Sequence, residues 1–101
     1  MAKTGKPAGK ARALKLEEDL RIGGAAGVLE LLRAAARKPE KQIVLDARQV
    51  EKVDAAGLQA LLVGRQLLVE AGKSVSWTAP SAQLTAAAAL LGLAGRLELP
   101  R

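Results

Sequence analysis

The chain has 101 residues and a net charge of +6, and half of its residues are apolar although Trp77 is its only aromatic side chain. This size predicts one domain whose core is built from leucine, valine and alanine. Because the sequence contains neither cysteine nor histidine, it excludes a disulfide framework, thiolate chemistry, and the commonest general base and metal ligand. We therefore expect a cytoplasmic protein that is not an enzyme and that holds no metal or cofactor.

The basic charge is concentrated at the beginning of the chain. Residues 1–12 contain four basic residues and no acidic one, and so carry +4 of the total charge of +6. The glycines and proline among them predict a flexible tail (1–12) followed by one domain (13–101). Such a tail is either a solubilising segment or a basic arm for nucleic acid or anionic lipid. The start lacks the apolar core of a signal peptide. Pro80, Gln83 and four hydroxyl side chains before Ala82 interrupt the uncharged stretch 74–95, so we expect no transmembrane span.

Residues 13–39 predict strands followed by a helix. Loose alternation over 13–22 favours two short strands or one interrupted strand. The glycine-rich run 23–27 leads into a helix, since its spacing is not that of a dinucleotide-binding loop. Four apolar residues at helical spacing form the predicted buried face of this helix: Val28, Leu31, Leu32 and Ala35. Lys38 and Pro39 end it.

The stretch 42–57 contains the most informative pattern. Residues 42–47 include three consecutive apolar residues, which predict a strand covered on both faces. Asp54 then occupies the position of an N-cap, because its carboxylate can accept hydrogen bonds from the free amides of a first helical turn. Ala55, Ala56 and Gly57 keep that turn thin, which leaves its backbone open to close approach by another polypeptide.

The helix that follows (56–71) has an arginine in an apolar sector. Leu58, Leu62 and Val69 share this sector with Arg65. An unpaired arginine does not normally lie in a core. The sector is therefore a surface that meets a partner, a rim on which Arg65 extends outward, or part of a helix that is buried on most sides. Gly72 ends the helix.

The last third predicts a strand, a helix and a further short strand. Apolar and hydroxyl side chains alternate over 74–79, which predicts a strand with one polar face. Ser81 is the predicted N-cap of the next helix, Gly92 ends that helix, and Leu97 and Leu99 predict a last strand. The buried face of this helix is predicted to contain Leu84, Ala87, Ala88 and Leu91. Because strands alternate with helices, the fold class is α/β, with successive strands parallel and helices packed on the sheet.

Several short motifs occur in a fixed order between residues 14 and 99. They are Ile43-Val44-Leu45-Asp46, Val50, Val53-Asp54-Ala55-Ala56-Gly57-Leu58, Gly72, Pro80-Ser81 and Leu90-Leu91-Gly92-Leu93. This set resembles a STAS domain, the fold of bacterial anti-sigma-factor antagonists. The resemblance includes the STAS subunit of phospholipid-transport ABC systems and chemotaxis-associated STAS proteins.

The resemblance implies a small mixed sheet with helices mainly on one side, and a regulatory role without catalysis. It also implies docking onto a cytoplasmic protein through the loop and helix start at residues 54–57. In phosphorylated members of the family, the residue after the aspartate is a serine or threonine that a partner kinase modifies. Here that position is Ala55, which has no hydroxyl group, so the phospho-switch is lost. The implied partners are an anti-sigma kinase, a chemotaxis-type signalling protein, or the ATPase of a phospholipid-transport ABC complex, which the STAS subunit would brace.

These considerations give one predicted site and several alternatives. The predicted partner-binding residues are Asp54, Ala55, Ala56, Gly57, Leu58, Leu62, Arg65 and Val69. A function of another class is nucleic-acid binding through the basic tail, which the charge of +2 on residues 13–101 disfavours. Thr78 and Ser81 are either alternative phosphorylation sites or a strand hydroxyl and a helix cap.

Overall fold

A computed structural model describes residues 11–100, apart from the side chain of Ile22, so residues 1–10 of the predicted tail lie outside the described part. The elements in chain order are β1 (Ala11–Lys15), β2 (Asp19–Leu20), α1 (Ile22–Ala36), β3 (Gln42–Asp46), β4 (Lys52–Val53), α2 (Ala55–Glu70), β5 (Ser74–Thr78), α3 (Ala82–Leu90) and α4 (Ala94–Leu97). Every helix within these residues is too short or too polar to span a bilayer.

Two small parallel sheets organise the domain. The larger has the strand order β1-β3-β5, and the smaller pairs β2 with β4. All strand pairs within residues 11–100 are parallel, because each crossover between neighbouring strands contains a helix. The predicted α/β class, with helices packed on a small sheet, is confirmed.

The helices cover one face of the larger sheet. Leu14 and Leu45 are paired in register on that face and are buried. On the opposite face, Ala13 and Ser76 are exposed and Val44 between them is only half-buried. The prediction that the strand at 42–47 is covered on both faces is therefore wrong, whereas packing of the helices mainly on one side is as expected.

Close packing of α1 on α2 depends on a glycine. A Cβ atom added at Gly64 would overlap the side chain of Leu32, so only glycine allows the two helices to approach this closely. Val28, Leu32 and Ala35 form the buried face of α1 as predicted, but Leu31 is 37% exposed. On α3, Leu84 and Ala88 are buried and Ser81 is the N-cap as predicted.

The end of the chain differs from its predicted structure. Leu97 and Leu99 are buried as a strand would require, but Leu97 is the last residue of the short helix α4. Gly92, with φ of +71°, turns the chain into that helix, and Leu91 beside it is 48% exposed, not buried. The indole Nε1 of Trp77 donates a hydrogen bond of 2.9 Å to the Leu97 carbonyl, which ties α4 to β5. The prediction of a last strand is wrong.

The beginning of the domain also lies earlier than predicted. Ala11 and Arg12, placed in the flexible tail by their charge, form the first two residues of β1 and pair with β3. The guanidinium of Arg12 donates two hydrogen bonds, of 2.9 and 3.1 Å, to the carboxylate of Glu40. One of the four cations proposed for a nucleic-acid arm is thus paired within the fold.

A buried lysine that the sequence did not single out holds the loop between α1 and β3. Lys73 is only 7% exposed. Its Nζ donates hydrogen bonds of 2.7 and 2.6 Å to the carbonyl groups of Lys38 and Glu40. These bonds compensate for burial of the ammonium group and fix the loop that also supplies the partner of Arg12.

Candidate functional site

The first turn of α2 forms a corner at the surface of the domain. Asp54 has extended backbone angles, and its carboxylate accepts a 2.9 Å hydrogen bond from the amide of Gly57. The predicted N-cap is confirmed, and a cap of this kind contributes about 1 kcal/mol. Ala55, the first residue of the helix, is exposed, and Ala56 is half-buried. Ala55 therefore provides the small, exposed side chain that we expect at the start of the helix.

Gly57 and Leu58 lie beneath this surface and not on it. Leu58 is completely buried in the core, and Gly57 is buried as well. A Cβ atom at Gly57 would lie 2.8 Å from the carbonyl carbon of Leu20 and would overlap its oxygen. The close approach that the glycine permits is made by the chain's own strand β2. The structure therefore contradicts the prediction that these two residues contact a partner.

Arg65 is an internal connection between α2 and α4. Its side chain is 12% exposed, and its Nη2 lies 2.8 Å from the carboxylate of Glu98. Because the side chain is mostly buried and paired with Glu98, Arg65 does not extend outward into solvent and offers no free cation to a partner. Leu62, on the same sector, is half-buried and Val69 is 42% exposed, so these two positions remain accessible in part.

Two charged residues that the sequence analysis did not place in the site adjoin Asp54. Pairing of β2 with β4 brings Asp19 and Arg21 close to the start of α2. Arg21 donates hydrogen bonds of 2.9 Å (Nε) and 2.8 Å (Nη2) to the two carboxylate oxygens of Asp19. A cavity of about 490 Å³ lies between this ion pair, Gly23, Gly24 and Asp54. No local pattern signals this proximity, because it depends on pairing between two strands of two residues each.

The ion pair is held in its charged form. Hydrogen bonds from Arg21 lower the pKa of the Asp19 carboxyl from its ordinary value of 3.8 to about 2. The same bonds raise the pKa of Arg21, and the nearby charge of Asp54 acts in the same direction. The corner consequently presents fixed charges of both signs around Ala55 at neutral pH.

The outer face of α2 continues from this corner as a groove. Its lining residues, which we call the α2–α4 groove, are Gln59, Leu62, Val63, Gln66, Leu67, Glu70 and Arg96. The groove has a volume of about 640 Å³, and Val63 within it is 48% exposed. The groove thus combines partly exposed apolar side chains with two amides and one charge of each sign. Residues 11–100 contain no cluster of three or more acidic side chains that could hold a metal ion.

The fold is a small α/β domain in which α2 begins directly after the parallel strand pair β2–β4. Comparison with family models gives a match to the model described as "Mlab, STAS domain" over residues 6–100. The chain belongs to the STAS domain family, whose members are generally regulatory or protein-interaction modules.

A solved structure supports the fold assignment. The chain is similar to the crystal structure of a sulfate transporter family protein from Wolinella succinogenes, with a TM-score of 0.73 and 21% sequence identity. The similarity covers 93% of this chain and 75% of that one. No curated protein matches the sequence. At this level of identity, the likeness concerns the fold alone.

Proposed function

We propose that this chain is a non-catalytic STAS-domain regulatory protein that docks onto a cytoplasmic protein through the start of α2, without a phospho-switch at Ala55. The observation that carries the proposal is the exposure of Ala55 directly after the capping residue Asp54. A methyl group at the first position of a correctly capped helix allows another polypeptide to lie flush against the backbone. The fixed charges of Asp19 and Arg21 beside it would set the orientation of that polypeptide.

Because Ala55 has no hydroxyl group, phosphorylation at this position cannot change the charge of the surface. A phosphate at this position would add a charge of about −1.5 to −2 next to a carboxylate and would repel an acidic neighbour. Ala55 cannot carry it, so the surface keeps one form at all times. The regulation would then depend on the amount of the partner or of this chain, not on a kinase.

The contact set that we propose differs from the one that the sequence alone suggests. Asp54, Ala55 and Ala56 form its centre, and Leu62 and Val69 extend it along the helix. The remaining three positions, Gly57, Leu58 and Arg65, shape the surface from inside. Substitutions at these three positions would affect binding only through the fold.

A pair of matched substitutions tests this proposal. Ala55 and Ala82 are each the exposed first residue of a helix that follows a side-chain cap. In affinity capture from the native host, Ala55→Trp should lose the partner that the unchanged chain retains, whereas Ala82→Trp should retain it. Equal capture by the two variants, both folded by circular dichroism, would refute docking at the start of α2.

The constant surface favours one partner class over another. An anti-sigma kinase acts on its antagonist through the hydroxyl that Ala55 lacks, whereas a brace for an ATPase requires a permanent contact. As a second candidate, we propose that the partner is the ATPase of a phospholipid-transport ABC complex. Addition of the chain to the captured ATPase should raise its melting temperature, and Ala55→Trp should not. An ATPase whose melting temperature is unaffected by the chain would exclude this candidate.

A further inference from the structure

The α2–α4 groove has two walls that are fixed relative to one another. One wall is the outer face of α2, and Arg96 of the short helix α4 lines the other side. The ion pair of 2.8 Å between Arg65 and Glu98 joins the two helices. Leu97, completely buried, and its hydrogen bond to Trp77 hold α4 against the domain from the other side. The groove is therefore preformed, which reduces the entropy lost when a ligand binds.

The lining residues of α2 recur at helical spacing. Gln59, Leu62, Val63, Gln66, Leu67 and Glu70 follow the pattern i, i+3, i+4, i+7, i+8, i+11. Residues with this spacing form one straight ridge of about three turns, or roughly 16 Å. A ridge of this length matches a second helix laid along α2, which is a recurring mode of peptide recognition.

The charges in the groove indicate which charged residue the second helix carries. Arg96 is exposed and, unlike Arg65, makes no ion pair within residues 11–100. The carboxylate of Glu70 accepts a hydrogen bond of 3.2 Å from Gln66 and contacts no cation in that range. Apolar contacts at Leu62, Val63 and Leu67, with Arg96 on one side, fit a helix that places an acidic residue opposite Arg96 and away from Glu70.

We propose that the α2–α4 groove binds an amphipathic helix of the partner protein, and that an acidic residue of this helix pairs with Arg96. The inference rests on the proposed function, since it describes what the partner places along α2. It adds Val63, Gln66, Leu67 and Arg96 to the docking surface. Binding at the start of α2 and binding in the groove remain separable, because Ala55 does not line the groove.

Two synthetic peptides test the inference without the partner. Each is an 18-residue amphipathic helix with leucines on one face, flanked by glutamates in one peptide and by lysines in the other. Titration of the full chain, followed by amide NMR shifts, should show saturable changes at residues 59–70 and at Arg96. The glutamate peptide should bind at least tenfold more tightly than the lysine peptide.

Charge reversal distinguishes a specific effect of Arg96 on peptide binding from an effect of the chain's overall positive charge. Arg96→Glu should invert the preference between the peptides, whereas Lys41→Glu, the same change in charge at an exposed loop residue, should leave it unchanged. Val63→Asp should abolish binding of both peptides. Shifts spread outside the groove, or an equal effect of the two charge reversals, would overturn the proposal.

Two further outcomes separate binding in the groove from docking at the start of α2. If Ala55→Trp still captures the partner while the glutamate peptide binds the groove, docking at the start of α2 is refuted and the proposal for the groove is supported. If the chain sediments as a dimer that Val63→Asp converts to a monomer, a second copy occupies the groove, and the inference is overturned.

Discussion

Replacement of Gly57 by alanine tests whether the thin start of α2 serves the fold or a partner. The added Cβ would overlap the carbonyl oxygen of Leu20 and would also lie 3.3 Å from the Leu20 Cβ. The atoms in the way belong mainly to backbone, so no rotation of a flexible side chain relieves the overlap. Strand β2 must move away from α2, and it is joined to β4 by the register Leu20–Val53.

The cost follows from three contributions. Forced displacement of packed groups costs about 1–3 kcal/mol. Weakening of the bonds that the Glu18 carbonyl accepts from Glu51 and Lys52, of 2.8 and 3.0 Å, adds roughly 1 kcal/mol. The higher helix propensity of alanine offsets about 1 kcal/mol of this loss. We therefore expect a net loss of about 1–3 kcal/mol in the free energy of unfolding, which lowers the melting temperature by roughly 4–24 °C.

Urea unfolding followed by circular dichroism and by the fluorescence of Trp77 measures this loss. Gly27→Ala is the matched control, because Gly27 lies within α1 and a Cβ there meets nothing within 4 Å. That control should stabilise the chain by about 0.5–1 kcal/mol. If Gly57→Ala were as stable as the unchanged chain, the conclusion that β2 occupies the space over Gly57 would be refuted.

Three further predictions concern single side chains. Asp54→Ala should lose at least about 1 kcal/mol of unfolding free energy in the same urea titration, since it removes the N-cap of α2, and an unchanged midpoint would contradict the role of the cap. Because the pKa of Asp19 is lowered in the folded state to about 2, its stabilising contribution is complete above its unfolded value near 3.8 and is lost as the pH falls through that window. Stability measured from pH 5 to pH 2 should thus fall less steeply in Arg21→Gln than in the unchanged chain, and parallel curves would count against this ion pair. Lys73→Met should lower the free energy of unfolding by about 2–4 kcal/mol because it leaves two loop carbonyl groups without their donor. Lys41→Met, at an exposed position, should change it by less than about 0.5 kcal/mol. Similar losses in the two variants would refute the conclusion that Lys73 holds the loop.

Local signals in the sequence were sufficient for the elements around the site. The apolar run formed the strand Gln42–Asp46, with Ile43 and Leu45 buried on one face, and the caps at Asp54 and Ser81 formed as their side chains required. Gly72 and Gly92 have φ of +84° and +71°, conformations that favour glycine and that end α2 and α3. Each of these features depends on neighbours within about four residues, which is the range in which residue patterns carry information.

Contacts over long sequence separations could not be predicted in this way. The carbonyl of Leu20 occupies the space over Gly57, and the sequence shows only that a glycine is present. Arg65 looks unpaired in its own helix because its partner, Glu98, belongs to a different element. Leu97 and Leu99 alternate as in a strand, but within residues 11–100 neither belongs to a strand, and both are buried at and just after the end of α4.

Hydrogen exchange of the purified complex tests the central claim most directly. The amides of α2 should exchange more slowly when the captured partner is present, and the effect should begin in the first turns, next to Ala55. The amides of α3, which begins in the same way at Ala82, should exchange at the same rate with and without the partner. Slower exchange confined to α3, with α2 unaffected, would contradict the account that the start of α2 is where this protein docks.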